Sequence, residues 1–157
     1  MTTVRPQAMT DKRDREKLAE ALRRLATGQI TNREYEDRTE PRSSDIAVRE
    51  IWRAAWGMYS DVRTHRLTGK DALTPDAKEA VARCILFLHS DLPWEWPTRS
   101  FAEGIQFAVA NICTLGLFGV REERRYRAAG EYSVWPFFRR SDYEAALRTP
   151  RLLNRAV

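Results

Sequence analysis

The sequence predicts a mainly α-helical single domain of about seven helices, with at most one short extended segment near residues 132–138. Three observations carry this expectation. Apolar residues recur at helical spacing along most of the chain, and the stretches are punctuated by capping residues, glycines and prolines. The length, 157 residues, sits near the usual size of one domain. The composition is that of a chain with a real core, 43% hydrophobic with five Trp, six Phe and five Tyr against 31% charged, which excludes disorder throughout.

Residues 1–10, with Pro6 and no periodicity, read as a loose tail ahead of a domain spanning 11–157. An N-terminal hairpin is expected over 11–40. Its first helix carries Leu18, Leu22 and Leu25 on one stripe, with Glu20 placed to pair with Arg24, and stops at Gly28. Thr31 and Glu34 then have capping-box spacing, with Tyr35 as the apolar anchor. Glu40-Pro41-Arg42-Ser43-Ser44 breaks the chain.

The main core is expected over 44–150. A long helix over 44–67 presents Val48, Trp52, Ala55, Tyr59 and Val62, widened by Ile51, Trp56 and Met58. Thr74 caps the next helix, with Pro75 where a missing N–H costs nothing, and Ala77, Val81, Cys84, Ile85 and Leu88 on its buried face. The stretch SDLPWEWP, residues 90–97, is interrupted by Pro93 and Pro97. Phe101, Ile105, Ala108, Ile112 and Leu115 fall at helical spacing after the Ser100/Glu103 cap, and Gly116 and Gly119 end that helix. A charged helix over 120–129 closes at Gly130. Ser141 and Glu144 cap a last helix over 142–148 before Pro150. Trp52, Tyr59, Cys84, Ile85, Ile105 and Ile112 are expected to share one core.

Charge and cysteine usage narrow the classes of function. The net charge of +5 comes from 23 Arg and only 4 Lys mixed with 22 acids, a mild excess that permits an acidic partner without requiring one. Cys84 and Cys113 lie in apolar runs and read as reduced thiols of a cytoplasmic protein. Residues 1–29 lack the apolar segment of a secretory signal. Residues 104–120 are uncharged, but Gln106, Asn111, Thr114 and three glycines argue for a buried segment and against a membrane span.

Residues 16–38, EKLAEALRRLATGQITNREYEDR, resemble the short helical hairpin known as the SHOCT domain. The shared features are a leucine-bearing helix, a Gly-x-Ile-Thr turn and a second helix that opens with acids around an aromatic. The resemblance implies self-association or help in binding other macromolecules. The family's hairpin is usually C-terminal, and Tyr35 stands where Phe is commoner; no functional residue is carried over.

Candidate chemistry is sparse. Asp61 and His65 lie four apart on the expected third helix, and His89 and Asp91 straddle a helix end near Cys84, so each histidine could be oriented by an acid. Cys84 and His89, five apart, diverge around a helix. No paired metal-ligand spacing and no phosphate-binding glycine loop occurs, so no cofactor is expected. Two segments are candidates for partner binding. Arg121, Arg124, Arg125 and Arg127, interleaved with Tyr126 and followed by Trp135, Phe137, Phe138, Arg139 and Arg140, could grip acidic groups. Trp94 and Trp96, on a proline-bracketed loop, are either contact anchors or core plugs. The leading expectation is a non-enzymatic interaction module acting on a protein partner or its own copies, such as a small bacterial accessory or immunity-type protein. The alternatives are a basic helical nucleic-acid binder and, third, an enzyme of unrecognised type.

Overall fold

The computed structural model describes residues 10–39, 42–98 and 117–149, which hold six α-helices and no strand: α1 (Lys12–Ala26), α2 (Asn32–Arg38), α3 (Ile46–Trp56), α4 (Pro75–Leu88), α5 (Leu117–Ala128) and α6 (Arg140–Arg148). The expected helix built on Phe101, Ile105 and Ile112, with the apolar run to Gly116, lies outside these residues. The tail over 1–9 does as well.

α1 is the central element. Its Leu18, Leu22 and Leu25 stripe is buried, and the helix packs most extensively on α4, then on α2 and α3. Asp11 starts it by accepting from Asp14 N, and Glu20 pairs with Arg24 at 2.7 Å as the spacing predicts. It ends at Gly28, whose φ of +69° is a left-handed conformation that side chains resist. A Cβ there would also lie 2.3 Å from Thr68 Cγ2. Gly28→Ala is therefore expected to destabilise the protein by about 1–2 kcal/mol from backbone strain alone. Urea unfolding would read this as a lower midpoint at unchanged slope.

The Thr31/Glu34 capping box forms in full, the Thr31 side chain accepting from Glu34 N and the Glu34 carboxylate accepting from Thr31 N. Thr74 and Pro75 open α4 as expected.

α3 is shorter than its stripe suggests. It stops at Trp56, with Gly57 as C-cap, and residues 57–68 run as loop. The reason lies in Asn32, buried at the start of α2. Its side-chain amide donates to Ser60 O and Arg63 O and accepts from His65 N, while its backbone N donates to His65 O. These bonds hold the loop beside the hairpin turn, where Thr31 and Arg66 form an isolated bridge. Arg66 donates to Gly28 O and Gln29 O, satisfying carbonyls at the end of α1. The expected stripe positions fare accordingly. Val48, Ile51 and Ala55 are buried, Trp52, Met58 and Tyr59 pack half-buried on the core, and Val62 and Trp56 are exposed.

Cys84 is buried in the core, with Ile85 packed against it. α4 buries Leu86 and Phe87 too, because it contacts α1, α3 and α6. At the C-terminal end two expectations are corrected, the helix end at Gly119 and the Ser141 cap. Gly119 lies inside α5 and does not terminate a helix. Residues 132–138, where at most one short extended segment is expected, hold none: Tyr132–Val134 forms a 3-10 turn, and the segment curls until Glu131 N reaches Phe138 O. With no strand among the described residues to pair against, curling satisfies its backbone locally and turns Val134 and Phe137 into the core. α6 begins at Arg140, and its N-cap, Arg139, makes no side-chain capping bond, so Ser141 does not cap it.

Candidate functional site

Three helical segments converge on a surface cavity of about 250 Å³. α1 contributes Asp14 and Lys17, the end of α2 contributes Arg38 and Thr39, and the turn before α3 contributes Arg42 and Ser43. Leu18, Val48 and Trp52 complete the lining. The polar walls are fixed. Thr39 Oγ1 donates to Tyr35 O and accepts from the Trp52 indole N–H at 2.9 Å. Ser43 Oγ accepts from Asp45 N, and Ser43 O accepts from Arg49 at 2.8 Å. The Asp45 side chain caps α3 through Ala47 N.

The electrostatics are one-sided. Three cations face one carboxylate, an excess of two positive charges. Lys17 and Arg42 have no acidic partner among the described residues, and Arg38 reaches Glu34 only at 4.0 Å. Most other arginines are engaged, as with Arg63–Asp71 at 2.7 Å and Arg139–Glu95 at 2.7 Å. Trp56 packs against the cavity residue Trp52, with ring centroids 5.1 Å apart and planes tilted by 41°, and is 50% exposed. A half-exposed indole next to uncompensated cations forms a face suited to contact.

The residues expected to bind partners lie elsewhere. Trp94 and Trp96 are in the core, 8% and 3% exposed, so they plug it and present no contact surface. Trp94 packs edge-on to Phe87 and Trp135, and Trp96 stacks on Tyr126 at 5.2 Å. Arg121, Arg124, Arg125 and Arg127 are exposed on α5. Arg127 is held by Glu123 at 2.8 Å and lies over the Tyr132 ring, and Arg125 is engaged as well. Arg139 and Arg140 are bound to Glu95 and Glu131. That leaves Arg121 and Arg124 as the cluster's uncommitted cations among the described residues.

The Asp61/His65 pairing does not form as expected. Because residues 57–68 are loop, Asp61 and His65 do not share a helix, and His65 Nδ1 meets Arg63 O at 2.9 Å. His89 caps the end of α4 and lines a second groove of about 320 Å³ with Asp91 and Asp142, among mostly apolar walls. Both acids are ion-paired, Asp91 with Lys12 and Asp142 with Arg139. Burial pushes the Cys84 thiol up to about 12, so it is protonated and inert at neutral pH. Among the described residues no cluster of His, Cys, Asp and Glu could hold a metal ion, and no helix is long and apolar enough to cross a membrane.

The basic cavity escaped the sequence reading because its cations come from three elements 25 residues apart (Lys17 to Arg42) and share no motif. The usable signal was Gly57: a helix ending there leaves Trp56 on its last turn, where coverage is poorest. In comparisons with known proteins, no family model matches the chain, and no curated protein or solved structure matches it significantly.

Proposed function

We propose that the protein is a non-enzymatic interaction module that binds a macromolecular partner, a protein or a second copy of itself, through the face formed by α1, the end of α2 and α3. The observation that carries this reading is the half-exposed Trp56 packed against Trp52, which lines a cavity with three cations and a single carboxylate. Aromatic and arginine side chains dominate the energetics of interfaces. The resemblance of residues 16–38 to a hairpin family that binds macromolecules supports the same reading, since Lys17 and Arg38 sit at the two ends of that segment. The reading carries a cytoplasmic location with it, supported by the buried free thiol of Cys84.

The test compares three immobilised chains in a nuclease-treated extract of the source cells: the parent, Trp56→Ala/Arg42→Ala, and Arg121→Ala/Arg124→Ala. All four positions are exposed, so folding should be preserved, which circular dichroism would check. The same protein species is expected on the parent and the α5 variant and lost from the Trp56/Arg42 variant. Sedimentation velocity identifies a self-associating partner by the same pattern. Equal retention by all three would overturn the proposal. Binding that appears only in a parallel untreated extract and depends on Arg121 and Arg124 would install the nucleic-acid reading in its place.

A further inference from the structure

We propose that the cavity between Lys17, Arg38 and Arg42 takes a phosphate monoester, carried by a phosphorylated side chain of the protein partner. The inference rests on the reading of this face as a binding surface and specifies what the surface recognises.

Charge selects the ligand class. Among the lining side chains, three cations less the Asp14 carboxylate leave an excess of two positive charges, with Glu34 outside the lining and 4.0 Å from Arg38. A phosphorylated side chain carries about −1.5 to −2 at neutral pH, which matches that excess, whereas a carboxylate would neutralise only half of it. Donor geometry agrees. The Lys17 ammonium and the Arg38 and Arg42 guanidiniums offer charged donors from three segments of the chain, and the Ser43 hydroxyl, whose oxygen already accepts from Asp45 N, can donate its proton. A phosphate monoester has three terminal oxygens to receive them; a carboxylate has two.

Size and shape separate a side-chain phosphate from nucleic acid. The cavity, about 250 Å³, is smaller than the usual range of about 300–1,000 Å³ for whole small-molecule ligands, so it suits a single anionic group. A nucleic-acid phosphodiester carries one charge and must run on in both directions, which calls for a stripe of cations and not for three converging on one cavity. Trp56, outside the mouth and half exposed, is placed to pack against residues flanking the phosphorylated position.

The arrangement supplies its own reporter. The Trp52 indole N–H donates to Thr39 Oγ1, and both residues line the cavity, so a ligand seated there must perturb that N–H resonance. The experiment titrates the full chain with O-phosphoserine and a phosphoserine peptide, following the indole signals by NMR and the heat by calorimetry. The unphosphorylated peptide, its Glu-substituted form and a short oligonucleotide serve as comparisons.

Saturable binding of both phosphoserine compounds is expected at low millimolar concentration or below, with the Trp52 signal shifting. The Glu peptide should bind at least about tenfold more weakly, as should the phosphopeptide to Arg42→Ala or Arg38→Ala, since each variant loses a charge-assisted hydrogen bond. Asp14→Asn should tighten binding severalfold, a gain that a purely structural role for Asp14 would not give. No histidine lines the cavity, so affinity should fall about fourfold from about pH 7.5 to about pH 5.5 as the phosphate takes its second proton near pH 6.

The inference is overturned if neither phosphoserine compound binds, if binding leaves the Trp52 signal in place, if the arginine variants bind as well as the parent, or if the oligonucleotide binds equally well. If phosphoserine fails while partner capture still depends on Trp56 and Arg42, this inference falls and the binding face stands. If capture is independent of those residues, the reading of the face falls first.

Discussion

Arg15→Ala is expected to cost about 3–5 kcal/mol, a large part of the 5–15 kcal/mol by which a typical domain is stable. Arg15 and Asp45 form a buried ion pair, 1% and 2% exposed, with Nε donating to Oδ2 at 2.6 Å and Nη2 to Oδ1 at 3.3 Å. The pair is fully engaged. Arg15 Nη1 also donates to Ser90 O and Leu92 O at 3.0 Å each, and the guanidinium lies over the Phe87 ring. Asp45 accepts in addition from Asp11 N and Ala47 N. One contact thus ties the start of α1, the N-cap of α3 and the chain leaving α4. Removing the guanidinium strands a buried carboxylate and two carbonyls together. Asp45→Ala strands the cation and two amides, so it should cost as much. The double variant Arg15→Met/Asp45→Leu avoids a buried charge and should cost less than the two single changes combined. It should not be neutral, because four backbone groups still lose their partners, at about 1–3 kcal/mol for each that stays dry. A double-mutant cycle in urea checks this; additive single costs would show that the pair is not coupled. The consequence reaches the binding face, since Asp45 N holds the Ser43 hydroxyl at the cavity wall.

The helices were legible where local chemistry decides them. The Thr31/Glu34 box, the Thr74 cap, Pro75 at the head of α4 and the left-handed Gly28 all act within a few residues of themselves, and all read correctly. The failures share one cause. α3 was extended past Gly57 because Tyr59 and Val62 continue its period, yet Asn32, some 30 positions away, takes the backbone of that segment for itself. The aromatics of 132–138 leave room for one short extended segment, but a strand needs a neighbour, and the chain provides none beside it among the described residues. Arg15 reads as one more surface charge on a polar helix; only the fold brings Asp45 and two carbonyls around it. The candidate site was the least legible part. Its cations are ordinary surface residues in sequence, and what distinguishes Lys17, Arg38 and Arg42 is that folding brings all three to one cavity lined by a single acid, Asp14.

Trp96→Ala is expected to cost about 3–5 kcal/mol, the range for deleting a large aromatic from a core. Trp96 stacks on Tyr126, meets Tyr132 and Phe138 edge-on, and donates its indole N–H to Pro136 O at 2.9 Å, a bond with no solvent nearby. Trp94, two residues earlier, is the useful contrast. It too is buried among aromatics, but its indole N–H has no hydrogen-bond partner among the described residues. Substituting phenylalanine removes the same atoms at either position. At Trp96 it also leaves the Pro136 carbonyl without its donor, while at Trp94 it removes a buried donor that is unsatisfied. Trp96→Phe should therefore destabilise the protein by about 1–3 kcal/mol more than Trp94→Phe. Urea midpoints of the two single variants, compared at matched slopes, measure that difference directly. Equal costs would mean that the Pro136 bond contributes nothing. A Trp96→Ala chain as stable as the parent would mean that the indole is not part of the core, and both tryptophans would return as candidates for contact with a partner.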